Sequence, residues 1–520
     1  MSCNPSHVIP DLIRNDRSLM SRIIKLLLFG LILLIFCYFR LKPLYFQTVG
    51  YTYDQGRDFL KAAEIITEKN ITFIGPTTGI PGVFHGAWYF YLLTIPFLLF
   101  GGAPIGFYYF NFFVQFFSFI LITYFLYRNF GFLIAGIISL LVASSPYFIF
   151  TSIFVGNNIF VMPIFLLFLL INYSIITSSK EQVAKLKSLF FINGLLLGFV
   201  AEFEVAFGLF LIPSYFILIL LFGRLRSFFM NLKAARYFLT GLVIPFLPRI
   251  FFELKNNFFQ TKSFINRVFF GVPESPKTYS GAFQERIDLF FGYYRSIFGN
   301  DVLLLAFTLA LILLVIFIFQ QKIKKYDGSL NFFVPLFLFL FFLSTLYINN
   351  NFYVNYFEGI QYLILILIAL GLSIVLKSKN YLLQFLKTAL FLLVGYFVIA
   401  SFISDIRTKP KTTGHLEAQT RIVRYIQSNV KKENKYCVKV YTPPVIPFTY
   451  NYLFLYERLS KKFPLPETDW VDDRCWFIIE KDDNQERQNK WIEEKIPRKN
   501  RVLIKNSIEE TQILLYQIRE

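Results

Sequence analysis

IIKLLLFGLILLIFCYF (23–39) and DVLLLAFTLALILLVIFIF (301–319) are two of the long apolar runs that decide the fold of this chain. Runs that approach ~20 apolar residues match the ~30 Å hydrocarbon core of a bilayer, whereas helices that face an aqueous core alternate apolar and polar residues with a period of about 3.6. Hydrophobic residues make up 55% of the 520 residues, and charged residues make up 16%, against roughly 25% in soluble domains. The sequence therefore predicts an integral membrane protein with many spans.

The net charge of +19 does not indicate nucleic-acid binding, because the basic residues are dispersed in short clusters between apolar runs. Clusters of this kind set the orientation of membrane spans. Three widely separated histidines and four cysteines without a CxxC pair predict no metal site. Since no small-residue cleavage site follows 23–39, this run is interpreted as a retained span rather than a signal peptide.

Twelve apolar blocks are candidate spans: 22–40, 87–102, 105–127, 131–150, 157–177, 188–203, 205–223, 237–252, 301–320, 331–348, 359–376 and 386–403. If all of them crossed, the lysine-rich loop 178–187 would lie outside, against the positive-inside rule. Block 87–102 is short and bounded by glycines, so we expect a juxtamembrane or re-entrant helix against the outer leaflet. About eleven spans then remain, with the N-terminus inside and the C-terminus outside.

Three regions face outward in this topology, namely 41–104, 253–300 and the tail 404–520. The tail has a soluble composition with short strand-like runs, and 415–430 has the periodicity of an amphipathic helix. We therefore expect a small α/β domain of roughly a hundred residues there. The predicted organisation is a cytoplasmic segment 1–21, an all-α polytopic transmembrane domain 22–403 and an extracytoplasmic α/β domain 404–520.

Two cysteines of the tail, Cys437 and Cys475, lie at the edges of strand-like runs. Because the tail is placed outside the cytoplasm, where oxidation is permitted, a disulfide between them is expected, and two buried free thiols are the alternative. The bridge would close a loop of roughly forty residues and stabilise the tail by ~3–4 kcal/mol.

The hexapeptide YDQGRD (53–58) follows the first span closely and opens a predicted helix. Asp54 occupies an N-cap or first-turn position, and Asp58 lies one turn later on the same face with Arg57 beside it. One interpretation is a helix cap with a solvated ion pair. The other is a catalytic carboxylate beside a cation.

Further candidates lie at the outer ends of predicted spans. His85 and Trp88 stand where a Gly/Pro-rich loop enters the juxtamembrane helix, and Trp88 is interpreted as an interfacial anchor. A structural role is the alternative for His85. Glu202 and Glu204 interrupt an apolar stretch, and one of them is expected to face the helix bundle while the other contacts water.

Arg249 and Glu253 lie one turn apart at the outer end of the seventh span, after two prolines that disturb the helix. Ionisable residues at such depth indicate a functional site, and snorkelling to the interface is the alternative. We expect the outer ends of three spans to line one cavity. Its predicted carboxylates are Asp54, Asp58, Glu202, Glu204 and Glu253, and its predicted cations are Arg57, Arg249, Lys255 and Arg267. Such a site suits a lipid phosphate and a hydroxyl group that is deprotonated.

The acidic motif with Arg57 at the start of a long first outer loop, the aromatic juxtamembrane helix and the many spans resemble the GT-C glycosyltransferases. More narrowly, the chain is similar to the branch of protein O-mannosyltransferases, aminoarabinose transferases and RgtA/B/C/D-like enzymes, over roughly residues 22–400. The resemblance implies that Asp54 is the catalytic acid/base residue, that Arg57 matches an arginine often found shortly after it, and that the donor is a polyprenyl-phosphate-linked sugar.

The sequence also departs from that family. Its Asp-Glu pair is Asp-Gln here (54–55), and the Pro-Pro-Leu expected before the juxtamembrane helix is His-Gly-Ala (85–87). Asn-Asn (157–158) stands where some relatives carry an acid, which argues against a metal-dependent oligosaccharyltransferase. The tail matches no part of the resemblance, so the acceptor stays open.

The expected function is a membrane glycosyltransferase that moves a sugar, with inversion, from a polyprenyl-phosphate donor to an extracytoplasmic lipid, glycan or protein. Arg57, Arg249 and nearby lysines would stabilise the leaving phosphate. No metal or other cofactor is expected, and the expected partners are the lipid-linked donor, the acceptor and membrane lipids. A transporter or lipid-carrier flippase is the main alternative, and a non-catalytic scaffold is another. Long outward loops and the lack of an internal repeat favour the enzyme.

Overall fold

The structure is a computed structural model that describes residues 8–177, 187–270, 278–320, 330–346, 352–377, 381–407, 415–443, 445–497 and 500–518. A helical membrane part runs to Arg407, and a small mixed domain follows it. The helices of the membrane part are α1 (Val8–Tyr45), α2 (Tyr53–Thr67), α3 (Trp88–Leu99), α4 (Pro104–Phe130), α5 (Phe132–Ser144), α6 (Pro146–Ser152), α7 (Asn157–Thr177), α8 (Lys187–Phe203), α9 (Val205–Leu221), α10 (Gly223–Phe229), α11 (Leu232–Val243), α12 (Leu247–Lys255), α13 (Phe259–Ile265), α14 (Tyr279–Phe298), α15 (Asp301–Gln320), α16 (Leu330–Thr345), α17 (Gln361–Lys377) and α18 (Tyr381–Arg407).

Five segments of the described residues are long and apolar enough to cross a bilayer, and a bent helix pair makes a sixth candidate. The five are Arg22–Tyr45, Pro104–Phe130, Asn157–Thr177, Leu232–Lys255 and Ala389–Arg407. Each lies on a predicted apolar block, so the prediction of a multi-pass helical membrane protein is confirmed. Helices α8, α9, α16 and α17 also coincide with predicted blocks, but they have only 16 or 17 residues. The count of about eleven spans stays a prediction.

The predicted span 131–150 is broken in the structure. Helices α5 and α6 meet at an angle of 65°, because Pro146 has no N–H to continue the ladder of α5. The guanidinium of the buried Arg40 donates to the carbonyl oxygens of Val142 (3.0 Å) and Ala143 (2.8 Å) at the end of α5. A broken helix is tolerated at membrane depth when its free backbone groups find such partners.

The first outer loop contains α2, a small hairpin of β1 (Ile74–Thr77) and β2 (Phe84–Gly86), and α3. Helix α3 has 12 residues and is therefore about 18 Å long, well short of the ~30 Å core of a bilayer. Gly101 and Gly102 then turn the chain into α4 with positive φ angles of 58° and 76°. This geometry agrees with the prediction that 87–102 does not cross.

The predicted outer loop 253–300 contains the helices α13 and α14, which hydropathy does not predict. Helix α14 has 20 residues and starts at the cap of Thr278, whose hydroxyl oxygen accepts from the N–H of Gly281. Its apolar residues pack on the bundle through Tyr293 and Tyr294, while Gln284 and Asp288 are exposed. A helix that is apolar on one face only is less apolar than a span, so a search for long apolar runs misses it.

The tail forms the predicted α/β domain. It contains α19 (Leu416–Ser428), β3 (Val438–Tyr441), α20 (Phe448–Lys461), β4 (Arg474–Ile479), α21 (Gln485–Lys495), β5 (Asn500–Ile508) and β6 (Thr511–Ile518). The strand order is β3-β4-β6-β5, with β3 and β4 parallel and the other pairs antiparallel. Cys437 and Cys475 are joined by a disulfide, and their Cα atoms lie 4.6 Å apart. Helices α20 and α21 were not predicted.

The tail packs directly on the first outer loop. A Cβ atom added at Gly56 of α2 would lie 2.5 Å from the backbone carbonyl carbon of Phe448 and from the backbone nitrogen of Thr449, so α20 and α2 touch through their backbones. The hydroxyl of Tyr452 donates to the carbonyl oxygen of Gly102 (2.7 Å) at the far end of the juxtamembrane helix. The soluble domain therefore helps to fix the helix that carries the acidic motif.

Candidate functional site

Helix α2 begins with a cap that does not use Asp54. The side-chain oxygen of Gln55 accepts from the backbone N–H (2.9 Å) and the hydroxyl (2.6 Å) of Thr52, while its amide donates to the carbonyl oxygen of Val155 (2.8 Å). Asp54 therefore lies in the first turn, and its carboxylate is not needed to cap the helix. Gln55 thus holds the start of α2 against the loop after α6.

Arg57 binds the two aspartates of the motif at once. Its guanidinium lies 2.9 Å from a carboxylate oxygen of Asp54, and 2.7 Å and 2.8 Å from one oxygen of Asp58. The Asp54 side chain is 47% exposed, whereas that of Asp58 is 3% exposed. The exposed carboxylate can reach a substrate, and the buried one holds the arginine in place.

Burial raises the pKa of Asp58 to about 7, and the neighbouring Arg57 opposes this effect. Burial lowers the pKa of Arg57 and the two aspartates raise it, with a net increase, so the guanidinium stays charged. The result is one fixed cation between a buried and an exposed carboxylate. A fixed cation of this kind can stabilise negative charge that develops on a bound group.

A cavity of about 560 Å³ opens beside this motif. Its polar lining residues are Tyr53, Asp54, Gln55, Arg57, Asp58, Thr77, Thr78, His85, Asn157, Asn158, Glu204, Arg267, Tyr353, Asn355 and Tyr356. Apolar side chains, among them Leu209, Phe210 and Phe264, line the rest. Pockets of this size and mixed lining are typical ligand sites.

His85 is a neutral hydrogen-bond donor at the wall of the cavity. Its Nδ1 atom accepts from the backbone N–H of Val205 at the start of α9, at 3.3 Å. Burial, with smaller effects of Arg249 and Arg57, lowers the pKa of His85 to about 3. Because Nδ1 is an acceptor in the neutral ring, the proton lies on Nε2.

Glu204 and Asn157 also line the cavity with polar atoms. The Asn157 amide donates to the carbonyl oxygen of Phe203 (2.8 Å) and to a carboxylate oxygen of Glu204 (3.2 Å). Glu204 is buried and lines the cavity as predicted. Glu202 is also buried and does not line it, so the expectation that one of the two glutamates contacts water is wrong. Asn157 thus orients the Glu204 carboxylate.

Arg249 does not line this cavity, contrary to the expectation of one site for all the candidates. Its guanidinium lies 2.7 Å from a carboxylate oxygen of Glu202 and donates to the carbonyl oxygen of Phe84 (2.9 Å) and to the side-chain oxygen of Gln260 (3.2 Å). Both charges of this pair are largely buried, and a buried charge needs such partners. The pair joins α8 and α12 to β2 behind the cavity wall.

Glu253 and Lys255 also lie outside the cavity. The Glu253 carboxylate accepts from the backbone N–H groups of Gln260 and Thr261, both at 3.0 Å, and so caps α13. Lys255 is exposed in the last turn of α12. Arg267, in contrast, lines the cavity as predicted.

Two solved structures cover almost the whole chain. Aminoarabinose transferase ArnT from Cupriavidus metallidurans bound to undecaprenyl phosphate superposes with a TM-score of 0.55 over 94% of this chain and 97% of that one, at 10% identity. Its apo state gives a TM-score of 0.56 over 96% and 98%, at 9% identity. The chain has the GT-C fold. The oligosaccharyltransferase of Archaeoglobus fulgidus, tethered with an acceptor peptide, gives a TM-score of only 0.46 over 83% of this chain and 64% of that one, at 14% identity. No protein-family model and no curated protein sequence matches the chain.

Within this GT-C fold, several cavity residues were not predicted from the sequence. Segments 76–80 and 352–356 contribute Thr78, Tyr353 and Tyr356, yet neither contains a charged residue that would mark it as functional. The Gly-Pro-Thr-Thr-Gly run at 75–79 was the signal available, since such a loop brings backbone close to a ligand. In the part of the chain that the structure describes, no group of His, Cys, Asp and Glu residues is placed to hold a metal ion.

Proposed function

We propose that this protein is a membrane glycosyltransferase that moves a sugar from polyprenyl phosphate to an extracytoplasmic acceptor. The observation that carries the proposal is the exposed carboxylate of Asp54 on the cavity wall, with Arg57 beside it held by Asp58. The GT-C fold, which the chain shares with ArnT, supports it.

Asp54 acts as the general base. It takes the proton of the acceptor hydroxyl as the oxygen attacks the anomeric carbon, and the bond from that carbon to the phosphate oxygen breaks with its electron pair. The leaving phosphate gains negative charge, which Arg57 and Arg267 stabilise from the cavity wall. A single displacement inverts the anomeric carbon and requires only one accessible carboxylate.

The donor is a sugar on polyprenyl phosphate. ArnT binds undecaprenyl phosphate, and the cavity of this chain offers the two kinds of surface that such a lipid needs. Arg57 and Arg267 suit the phosphate, and Leu209, Phe210 and Phe264 suit the isoprenoid chain. His85 and Glu204 present a donor and an acceptor that suit sugar hydroxyl groups.

The cavity opens on the non-cytoplasmic side in this proposal, and the tail lies on that side with it. The positive-inside bias of the loops supports this orientation, with the N-terminus in the cytoplasm. The disulfide between Cys437 and Cys475 supports it too, because oxidation is favoured outside the cytoplasm.

The test uses the purified full-length protein with a polyprenyl-phosphate donor that carries a radiolabelled sugar, and detergent-solubilised envelope material as the acceptor. Transfer of label to a new product together with release of polyprenyl phosphate is the expected result. Movement of the intact donor across proteoliposomes without release of polyprenyl phosphate would instead identify a lipid-carrier flippase.

A further inference from the structure

Besides the cavity at Asp54, a groove of about 440 Å³ lies between the tail and the start of α2. On the tail side it follows the carboxyl ends of the parallel strands β3 and β4, where residues 442–443 and 480–483 line it. The loops at the carboxyl ends of parallel strands are where α/β sheets bind their ligands. The groove therefore lies at the edge of the sheet where a ligand is expected to bind.

The groove meets the catalytic cavity at one residue. Tyr53 lines both, and the next residue along the chain is Asp54. Tyr51 and Thr52 continue the groove along the segment that leads into α2. A molecule that occupies the groove thus has one end beside the proposed general base.

The groove is acidic, although the chain as a whole carries a net charge of +19. Its charged lining residues are Glu480, Asp482, Asp483, Glu509, Glu510 and Lys481, five acids against one base. Three of the five acids are paired with cations, namely Asp482 with Arg487, Glu510 with Lys481 and Glu509 with Arg421. Glu480 accepts only neutral donors in the described residues, namely Tyr450 (2.8 Å) and Gln419 (3.1 Å).

Two buried polar atoms on the groove lack partners in the part of the chain that the structure describes. The side-chain oxygen of Gln419 and the hydroxyl of Thr449 make no hydrogen bond, and these residues are only 5% and 3% exposed. Both residues line the groove. Buried polar atoms without partners are rare in folded proteins, so a ligand with N–H groups is the natural complement.

We infer that this groove binds the acceptor and that the acceptor is a basic polypeptide segment. The acids bind lysine or arginine side chains, Gln419 and Thr449 bind backbone N–H groups, and a serine or threonine hydroxyl of the segment reaches Asp54 past Tyr53. The inference rests on the proposed glycosyl transfer. A phosphate-bearing glycolipid would meet like charge along the same walls, which disfavours a lipid acceptor at this groove.

The test measures binding of a fluorescent peptide that alternates lysine and serine to the purified full-length protein, with a peptide that carries glutamine in place of lysine as the comparison. The double variant Glu480→Gln, Asp483→Asn removes two groove charges and keeps the acceptor atom that Tyr450 and Gln419 use. Loss of one half-buried carboxylate (Glu480) and one exposed carboxylate (Asp483) is expected to weaken binding of the lysine peptide roughly fivefold and to reduce its salt dependence.

The matched control is Glu486→Gln, Glu493→Gln, which removes two exposed charges of α21 outside the groove. It should bind the lysine peptide like the wild type, and both double variants should unfold at the wild-type temperature. Equal binding of the two peptides, or equal loss of binding in the two double variants, would overturn the inference.

Transfer assays separate this inference from the proposed function. Wild-type protein that binds the lysine peptide but releases no polyprenyl phosphate with any acceptor would defeat the proposed function and leave the groove as a peptide site. The groove inference would fail, and glycosyl transfer would stand, if two results were found together. The double variant Glu480→Gln, Asp483→Asn would release polyprenyl phosphate at the wild-type rate, and an uncharged acceptor would serve as well as a basic one.

Discussion

Gly56→Ala tests whether the tail fixes the helix that carries Asp54. The added Cβ would lie 2.5 Å from backbone atoms of Phe448 and Thr449, whereas ordinary contact begins near 3.4 Å, so α2 and α20 must separate by about 1 Å. Overpacking of this kind costs about 1–3 kcal/mol, and the better helix propensity of alanine returns at most about 1 kcal/mol. A displacement of about 1 Å near a catalytic group can also lower the rate by about a hundredfold.

Gly292→Ala is the matched control, because Gly292 is an exposed helical glycine of α14 with no atom within 4 Å of its added Cβ. That variant should gain about 1 kcal/mol from helix propensity alone. Thermal unfolding in one detergent and sugar transfer from a polyprenyl-phosphate donor are measured for both. The reasoning is refuted if Gly56→Ala is as stable and as active as Gly292→Ala.

Three other perturbations test separate parts of the structure. Burial raises the pKa of Asp58 to about 7 in the folded protein, above the unfolded value of about 4. The stabilisation that comes from this raised pKa is therefore fully present below pH about 4 and is lost as the pH rises through about 7. Asp58→Asn should therefore flatten the pH dependence of the unfolding temperature in this window, and an unchanged slope would contradict the assignment. The lysine of Arg249→Lys cannot make all three contacts of the guanidinium, so this variant should have a lower unfolding temperature and an unchanged KM for the donor. A raised KM with a normal unfolding temperature would instead show that Arg249 contacts the donor phosphate. Replacement of Cys437 and Cys475 by serine opens a loop with a sequence separation of 38 and should cost the tail about 4 kcal/mol. In the wild type both cysteines should alkylate only after reduction, and alkylation without reductant would contradict both the bridge and the placement of the tail outside the cytoplasm.

Much of the fold follows from hydropathy, because a span must bury a continuous apolar run in lipid. The blocks 157–177 and 301–320 coincide with α7 and α15 to the residue. The strand-like runs of the tail likewise became strands. The break at Pro146 was missed, since the guanidinium that stabilises it comes from Arg40, more than a hundred residues earlier. The basic loop 178–187, on which the predicted orientation depends, lies outside the described residues except for its last lysine.

The site was only partly predictable. Asp54, Arg57 and Asp58 are close in sequence, and helical periodicity alone brings them together. Arg249 was predicted to bind the donor phosphate, and sequence spacing could not show that it pairs with Glu202 instead. The contribution of segment 352–356 is set by long-range packing of residues that carry no distinctive chemistry.

The most direct test of the central claim compares Asp54→Asn with Glu64→Gln. The substituted asparagine keeps the size of the Asp54 side chain but cannot take a proton, and Glu64 lies on the same helix outside the cavity, paired with Lys61. Release of polyprenyl phosphate from a labelled sugar donor is measured at saturating donor and acceptor. Asp54→Asn should lose about 10²–10⁴-fold in rate while donor affinity and unfolding temperature stay at wild-type values, and Glu64→Gln should keep the wild-type rate. Transfer by Asp54→Asn at a rate close to that of the wild type would contradict the role of Asp54 as the general base.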